Sequence, residues 1–340
     1  MRSRFTIKDV AARVGVSCQT VSRVVNNKGE ISDATRARVL AAIEELDYRP
    51  SAAARSMVMG STCTLGCISP NLTDFTFANI IEGAQAEARR LGYFVLTGSA
   101  RTEADVEPLL EEMLRREVDG LIVLNPRADE RYRHFLPLID KGMAVVYLNN
   151  TPRGEPVSSV RCDDHEGGYR ATRHLIDLGH TAAATILGPD NEECTFDRFD
   201  GYRQALLEAG LDIDPALTAQ GNWSATSGYR ATQTLLTAGR TFTAIFAQND
   251  QMAVGAIRAL REAGQRVPAD VSVIGFDDIP LASYFDPPLT TLRQPMEESG
   301  QQAARVLIET IQNPGRPPEQ VLIHARLVER ASCVSPRRQK

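Results

Sequence analysis

Apolar side chains near the start of the chain recur at helical spacing in three short blocks. Ile7, Val10 and Ala11 share one face, Val21, Val24 and Val25 a second, and Val39, Leu40, Ile43 and Leu46 a third. Thr6, Ser17 and Ser32 stand where N-caps belong, and Gly15 ends the first block. Two short helices joined around a glycine form a helix-turn-helix pattern. The pattern breaks at Pro50, and "SAAARSMVMG" is too short and alanine-rich to hold a helix by itself. From Thr62 onward, short apolar runs alternate with amphipathic stretches. "TLGCI", "YFVLT", "GLIVL" and "MAVVYL" are separated by predicted helices at 79–91, 105–115 and 130–141. A second series runs through helix 165–178, "TAAATIL", helices 199–209 and 227–238, "TAIFA", helix 252–263 and "VSVIGF". Strand–helix alternation predicts parallel sheets covered by helices, and two series predict two Rossmann-like units. A helix at 296–311 and the run "QVLIHARLV" complete them, and "SPRRQK" reads as a solvated tail.

Charge divides the chain in the same place. The net charge is -5 over 340 residues, yet residues 1–60 hold ten Lys and Arg against six Asp and Glu. A basic head on an acidic body predicts that the head alone meets a polyanion. No apolar run is long enough to cross a bilayer and no secretory signal core is present, so a cytoplasmic protein without membrane contact is expected. The cysteines are scattered, Cys63 and Cys67 lack a second pair, and the histidines show no metal-binding spacing. Neither a metal nor another cofactor is expected.

Ligands of open parallel sheets lie beyond the carboxyl ends of the strands. The segments there, "SPNLTDFTF", "NPRAD", "NNTPR", "GPDNEECTFDR", "QNDQ" and "FDDIP", are rich in Asn, Asp, Phe and Arg, as a polar small-molecule cleft requires. Catalysis is the competing reading. The carboxylate pairs Asp163–Asp164 and Asp277–Asp278 are adjacent in sequence, whereas an acid/base pair must flank a bond. Nucleophile-elbow, phosphate-loop and dinucleotide motifs are missing, so no enzyme is expected.

The blocks "TIKDVAARVGVSCQTVSRVVNN", "ISDATRARVLAAIEELDYRPSAAARSM", "QNDQMAVGAIRAL" and "VSVIGFDDIPLASYFDPPLTTLRQP" resemble, in order, the LacI/GalR family of bacterial transcription regulators. The likeness spans roughly residues 5–333. It implies a three-helix headpiece at 1–49, a hinge helix at 50–61 and a core like periplasmic sugar-binding proteins. That core would have one lobe at 62–161 and 291–322, and another at 162–290 and 323–340. It also implies a homodimer on a pseudo-palindromic operator in double-stranded DNA. Without a terminal leucine heptad, no coiled-coil tetramer is expected.

In such a headpiece the N-terminal residues of the second helix face base edges in the major groove. Here they are Cys18, Gln19, Ser22 and Arg23. Gln pairs with adenine and Arg with guanine, each worth about 1–3 kcal/mol of discrimination. Cys18 departs from the family, and a thiol is a weak hydrogen-bonding group suited to contact with a thymine methyl. Thr6, Ser17, Thr20 and Asn26 are assigned to phosphates. In the hinge, Met57 stands where the family carries an apolar wedge, and Arg55 is placed for the backbone or groove floor.

The resemblance places Arg198, Asn249 and Asp277 in an effector cleft between the lobes. Trp223 would stack on a sugar face, Phe75 and Phe77 would form the opposite wall, and Asn125, Asn149 and Gln294 would add polar contacts. The plainer roles are loop packing for Trp223, core for the phenylalanines, and a cap or lobe contact for Asp278. The expectation is a repressor controlled by a carbohydrate. The alternative is a purine-type corepressor, acting with the opposite sign.

Overall fold

The structure, a computed structural model, describes residues 5–25, 29–48, 60–125 and 130–336. The chain divides into two compact units, Met1–Cys63 and Thr64–Lys340.

In the first unit, α1 (Ile7–Val14), α2 (Cys18–Val25) and α3 (Asp33–Glu45) follow the predicted pattern. Asp9 accepts hydrogen bonds from the Thr6 amide and hydroxyl, both at 2.7 Å. The Ser17 hydroxyl accepts from the Thr20 amide and the Ser32 hydroxyl from the Thr35 amide. Gly15 closes α1 in the left-handed region at φ 72°, which a glycine adopts without a Cβ penalty. Val10, Val14, Val21, Val24 and Val39 form the core. One expectation fails: Leu40 is exposed, and Ala42 takes the inward place. With Val39 and Ala42 inward, Leu40 falls outside a stripe that only three small helices define. Asn26, Arg55, Met57 and most of the expected hinge lie outside the described residues.

The second unit contains two six-stranded sheets. One has the order β11-β5-β4-β3-β1-β2, all parallel, from β1 (Thr64–Ser69), β2 (Phe94–Ser99), β3 (Gly120–Leu124), β4 (Ala144–Leu148), β5 (Ser158–Cys162) and β11 (Gln320–Ile323). The other has the order β12-β10-β9-β8-β6-β7, from β6 (Ala183–Leu187), β7 (Thr218–Gln220), β8 (Ala244–Ala247), β9 (Ser272–Asp277), β10 (Thr290–Arg293) and β12 (Arg326–Val328). Only β12 runs antiparallel, against β10. Each sheet buries an apolar cluster on both faces, which explains its near-continuous apolar strands.

Helices α4 (Phe75–Arg90), α5 (Val106–Arg115) and α6 (Leu136–Asp140) connect strands of the first lobe. Helices α7 (Asp164–Asp177), α8 (Glu193–Glu208), α9 (Ala225–Thr237) and α10 (Asp250–Glu262) do so in the second. Helix α11 (Met296–Gln312) returns to the first lobe and lies on α4. There Arg90 and Arg305 donate to Glu87 and hold its carboxyl down at about 2.

The lobe boundaries differ from those expected in three places, because β5 keeps Cys162 and β11 keeps Ile323 in the first lobe and β10 shifts the second crossing. Strand β10 belongs to the second sheet, so the second crossing falls after Arg293 and not after 290. "QVLIHARLV" is also divided, with β11 in one lobe and β12 in the other. His324 lies in that third crossing and meets Asp163 and Glu166 of the first. These three form a group of metal-ligand type that sequence spacing did not reveal.

Candidate functional site

Each sheet reverses strand order beside its first strand, between β1 and β3 in one and β6 and β8 in the other. The loops leaving these strands face one another across a cleft of about 520 Å³. The first lobe contributes Asn71, Asp74, Phe75, Phe77, Arg101 and Asn149. From the second come Asp164, Glu192, Arg198, Trp223, Asn249 and Asp277, with Gln294 at the second crossing.

Helices α4 and α8 begin four and six residues earlier than predicted, and both carry cleft residues. Asp74 accepts from the Thr76 and Phe77 amides, starting α4 at Phe75 and holding both phenylalanines in its first turn. Both phenylalanines line the cleft and also pack against the first-lobe core. Helix α8 starts at Glu193, which makes Arg198 a helical residue. The sequence places it in the loop segment "GPDNEECTFDR", just before a helix expected from Phe199.

Arg198 is only 4 % exposed. Its Nε donates to Asp164 Oδ1 at 2.8 Å and its Nη1 to the Gln248 carbonyl at 2.5 Å. The guanidinium also lies 3.7 Å from the centre of the Phe276 ring. Burial works against its charge, but Asp164 and the other acidic groups around it outweigh that and raise its pKa. Burial likewise lifts Asp164, against the pull of Arg198. Asp277, at the end of β9, accepts from Gln294 Nε2 at 2.7 Å, and burial pushes its carboxyl well above the ordinary range. Beneath it, burial pushes Asp250 up to about 7 although the Thr291 hydroxyl and the Ile279 amide donate to it.

Helix packing fixes this arrangement. A Cβ on Gly168 of α7 would stand 2.1 Å from the carbonyl oxygen of Arg198 on α8. Gly168→Ala is therefore expected to push the helices apart at a cost of about 1–3 kcal/mol. Urea unfolding should show the loss, and a wild-type midpoint would refute this account of the crossing.

Trp223 sits at φ 69°, Asn149 at 56° and Asp277 at 117°, conformations that non-glycine residues rarely adopt. Strained backbone of this kind gathers at ligand sites. The Asn249 side chain caps α10 through the Met252 amide and donates to the Trp223 carbonyl at 3.0 Å.

Eight of the nine predicted cleft residues line it: Phe75, Phe77, Asn149, Arg198, Trp223, Asn249, Asp277 and Gln294. Asn125 does not. It is buried at the end of β3 and borders a separate small void beside Ile68 and Phe135. Side chains alternate across a sheet, so a one-residue difference in where a strand ends decides which side its last residue faces. Asn249 touches the cleft while serving mainly to hold α10 and Trp223. Asn71, Asp74 and Glu192 lie in segments that the sequence marks for the cleft but are not singled out there, and Arg101 and Asp164 lie outside those segments. Asp164 carried a signal only as half of an acidic pair. Its neighbour Asp163 turns away to cap α7. Asp278 is a buried acceptor for Arg293 and Arg330, at 2.6 and 2.7 Å.

In the first unit, Cys18, Gln19 and Arg23 are exposed and Ser22 is half-buried, with Val21 and Val24 turned inward. Gln19, Ser22 and Arg23 stand three and four residues apart and so share one face of α2.

Residues 6–51 match the model of bacterial regulatory proteins of the lacI family, and 172–333 that of the periplasmic binding protein-like domain. The HTH-type transcriptional repressor PurR of Escherichia coli O139:H28 (strain E24377A / ETEC) is 37% identical over 336 residues, 96% of either chain. Among solved structures, the Lac repressor dimer bound to operator and the anti-inducer ONPF is 30% identical with a TM-score of 0.87, covering 98% of this chain and all of that one. The transcriptional regulator CelR–cellobiose complex is 34% identical with a TM-score of 0.75, covering 97% of this chain and all of that one. Among the described residues no helix is long and apolar enough to cross a membrane. With a helix-turn-helix match at one end and relatives that span almost the whole chain, the chain belongs to the lacI family of bacterial regulatory proteins and is a DNA-binding transcriptional repressor, not an enzyme.

Proposed function

We propose that the protein is a dimeric repressor whose hold on a pseudo-palindromic operator is set by a small carbohydrate bound between its lobes. The observation that carries the reading is the cleft lining. An indole and two phenylalanine rings stand among Arg198, Asp277, Asn149 and Gln294, so apolar ring faces and hydroxyl partners occur together. A sugar ring has both surfaces, with an apolar C–H face for the indole and hydroxyls for a planar guanidinium fork and a carboxyl. Cellobiose in the CelR complex fits the same reading. Exposed Leu281 and Tyr284 on the second lobe offer apolar surface for a dimer contact.

The effector bridges residues of both lobes, so binding favours one lobe arrangement. The expected hinge at 50–61 would transmit that bias to the DNA-reading helices. A coupling of about 1–3 kcal/mol would change operator occupancy roughly five- to 150-fold. A purine-type corepressor is the second reading, and likeness to the repressors named PurR favours it.

A thermal-shift panel of sugars and nucleobases separates the two. A native-state ligand at a hundredfold excess over its Kd adds about 2.7 kcal/mol. A sugar that raises Tm and releases operator DNA is the expected result. A nucleobase that raises Tm and strengthens operator binding would replace this reading with the second.

A further inference from the structure

We infer that Glu192 is a specificity-determining residue of the cleft: it locks the Trp223 indole in place and gives the site an acidic wall that admits uncharged sugars and rejects anionic ones. This rests on the carbohydrate reading above and narrows the ligand class. Glu192 is 9 % exposed and lines the cleft directly before α8. Its Oε2 accepts the indole Nε1–H of Trp223 at 2.8 Å across 31 residues of sequence. The six-membered ring is fixed by shape beside that N–H, because a Cβ on Gly188 would fall 2.1 Å from its Cζ2 and Cη2. The backbone is fixed as well, through the Asn249 bond to the Trp223 carbonyl. With Arg198 5.6 Å from its centre, the indole is held on several sides. A platform ordered before binding loses little freedom when a ligand stacks on it.

The charge around that platform is unsuited to an anion. Among the described residues, the ionisable groups lining the cleft, apart from the thiol of Cys194, are the acids Asp74, Asp164, Glu192 and Asp277 and the bases Arg101 and Arg198. Four acids thus face two guanidinia among these residues. The charge of Arg198 is already balanced by Asp164, although its remaining N–H groups can still donate to hydroxyls. A phosphate or uronate beside Glu192 would meet a like charge in a poorly solvated place, where repulsion is weakly screened.

Trp223 is the only tryptophan of the chain, so tryptophan emission reports on the surroundings of this one indole. In ligand-free protein, Glu192→Ala should shift the emission maximum to the red, while Glu192→Gln, which keeps an acceptor for the indole, should shift it less. Wild-type protein titrated with glucose, cellobiose, glucosamine, glucuronate and glucose phosphate should bind among the uncharged sugars or the amino sugar and not the two acids. In Glu192→Gln the ratio of acidic-sugar to neutral-sugar affinity should rise about tenfold, the effect of one removed like-charge contact of about 1.4 kcal/mol. An unchanged emission maximum in Glu192→Ala overturns the lock. An unchanged affinity ratio in Glu192→Gln, or tight binding of glucuronate by wild type, overturns the selectivity. If only nucleobases bind, the carbohydrate reading fails. The emission test still decides the lock, and a base compared with its nucleotide decides the charge selectivity.

Discussion

Arg23→Ala is expected to cost the dimer about 2–6 kcal/mol of specific operator binding, since each half-site would lose one bidentate base contact of about 1–3 kcal/mol. The headpiece should tolerate the change. Arg23 is exposed on α2, and the core beneath it is made by Val21 and Val24. Residual binding should remain, weak and steeply salt-dependent, because phosphate contacts do not depend on base identity. The measurement is a fluorescence-anisotropy titration against a site selected from random DNA by the wild-type protein. It would be repeated with scrambled DNA at several salt concentrations. Wild-type affinity for the selected site would remove Arg23 from base reading.

Arg198→Ala should have two large effects at once. Truncation leaves the half-buried Asp164 without its hydrogen-bonded partner, and breaking a largely buried ion pair costs about 3–5 kcal/mol of stability. It also removes the fork proposed to hold the effector, so operator release by ligand should vanish. The two effects can be told apart with Arg198→Lys. Lysine keeps a positive charge for Asp164 but cannot span both Asp164 and the Gln248 carbonyl while still reaching a ligand. That variant should recover much of the lost stability in urea unfolding and little of the effector response in operator-release assays. A full ligand response in either variant would take Arg198 out of effector binding. A wild-type unfolding midpoint for Arg198→Ala would mean that Asp164 does not need its partner.

Arg198 shows how far sequence reading reached. Its place in the cleft was legible from the family likeness of "DRFDGYR", but its partners were not. Asp164 lies 34 residues away and Gln248 lies 50 residues away, brought together by the close crossing of α7 and α8 and by the order β9-β8-β6. Trp223 was legible as a ring for stacking, whereas Glu192 was one acid among several in a polar loop. Asn125 was misplaced for the opposite reason. It follows a strand end, as cleft residues do, but the pleat turns it into its own lobe.

What the sequence determined by itself was local and periodic: the three capped helices of the headpiece, the alternation of strand and helix, and the exposed face of α2. Short-range hydrogen bonds and apolar spacing within a dozen residues are enough to set those features. The tertiary structure decided the rest. Sheet pairing sent β10 and β12 to one lobe and β11 to the other. Helix contact at Gly168 fixed the depth of Arg198, and burial raised the carboxyls of Asp164, Asp250 and Asp277. Each of these depends on groups far apart in the chain whose packing and loss of water exist only once both sheets have formed, so no local window of residues contains them.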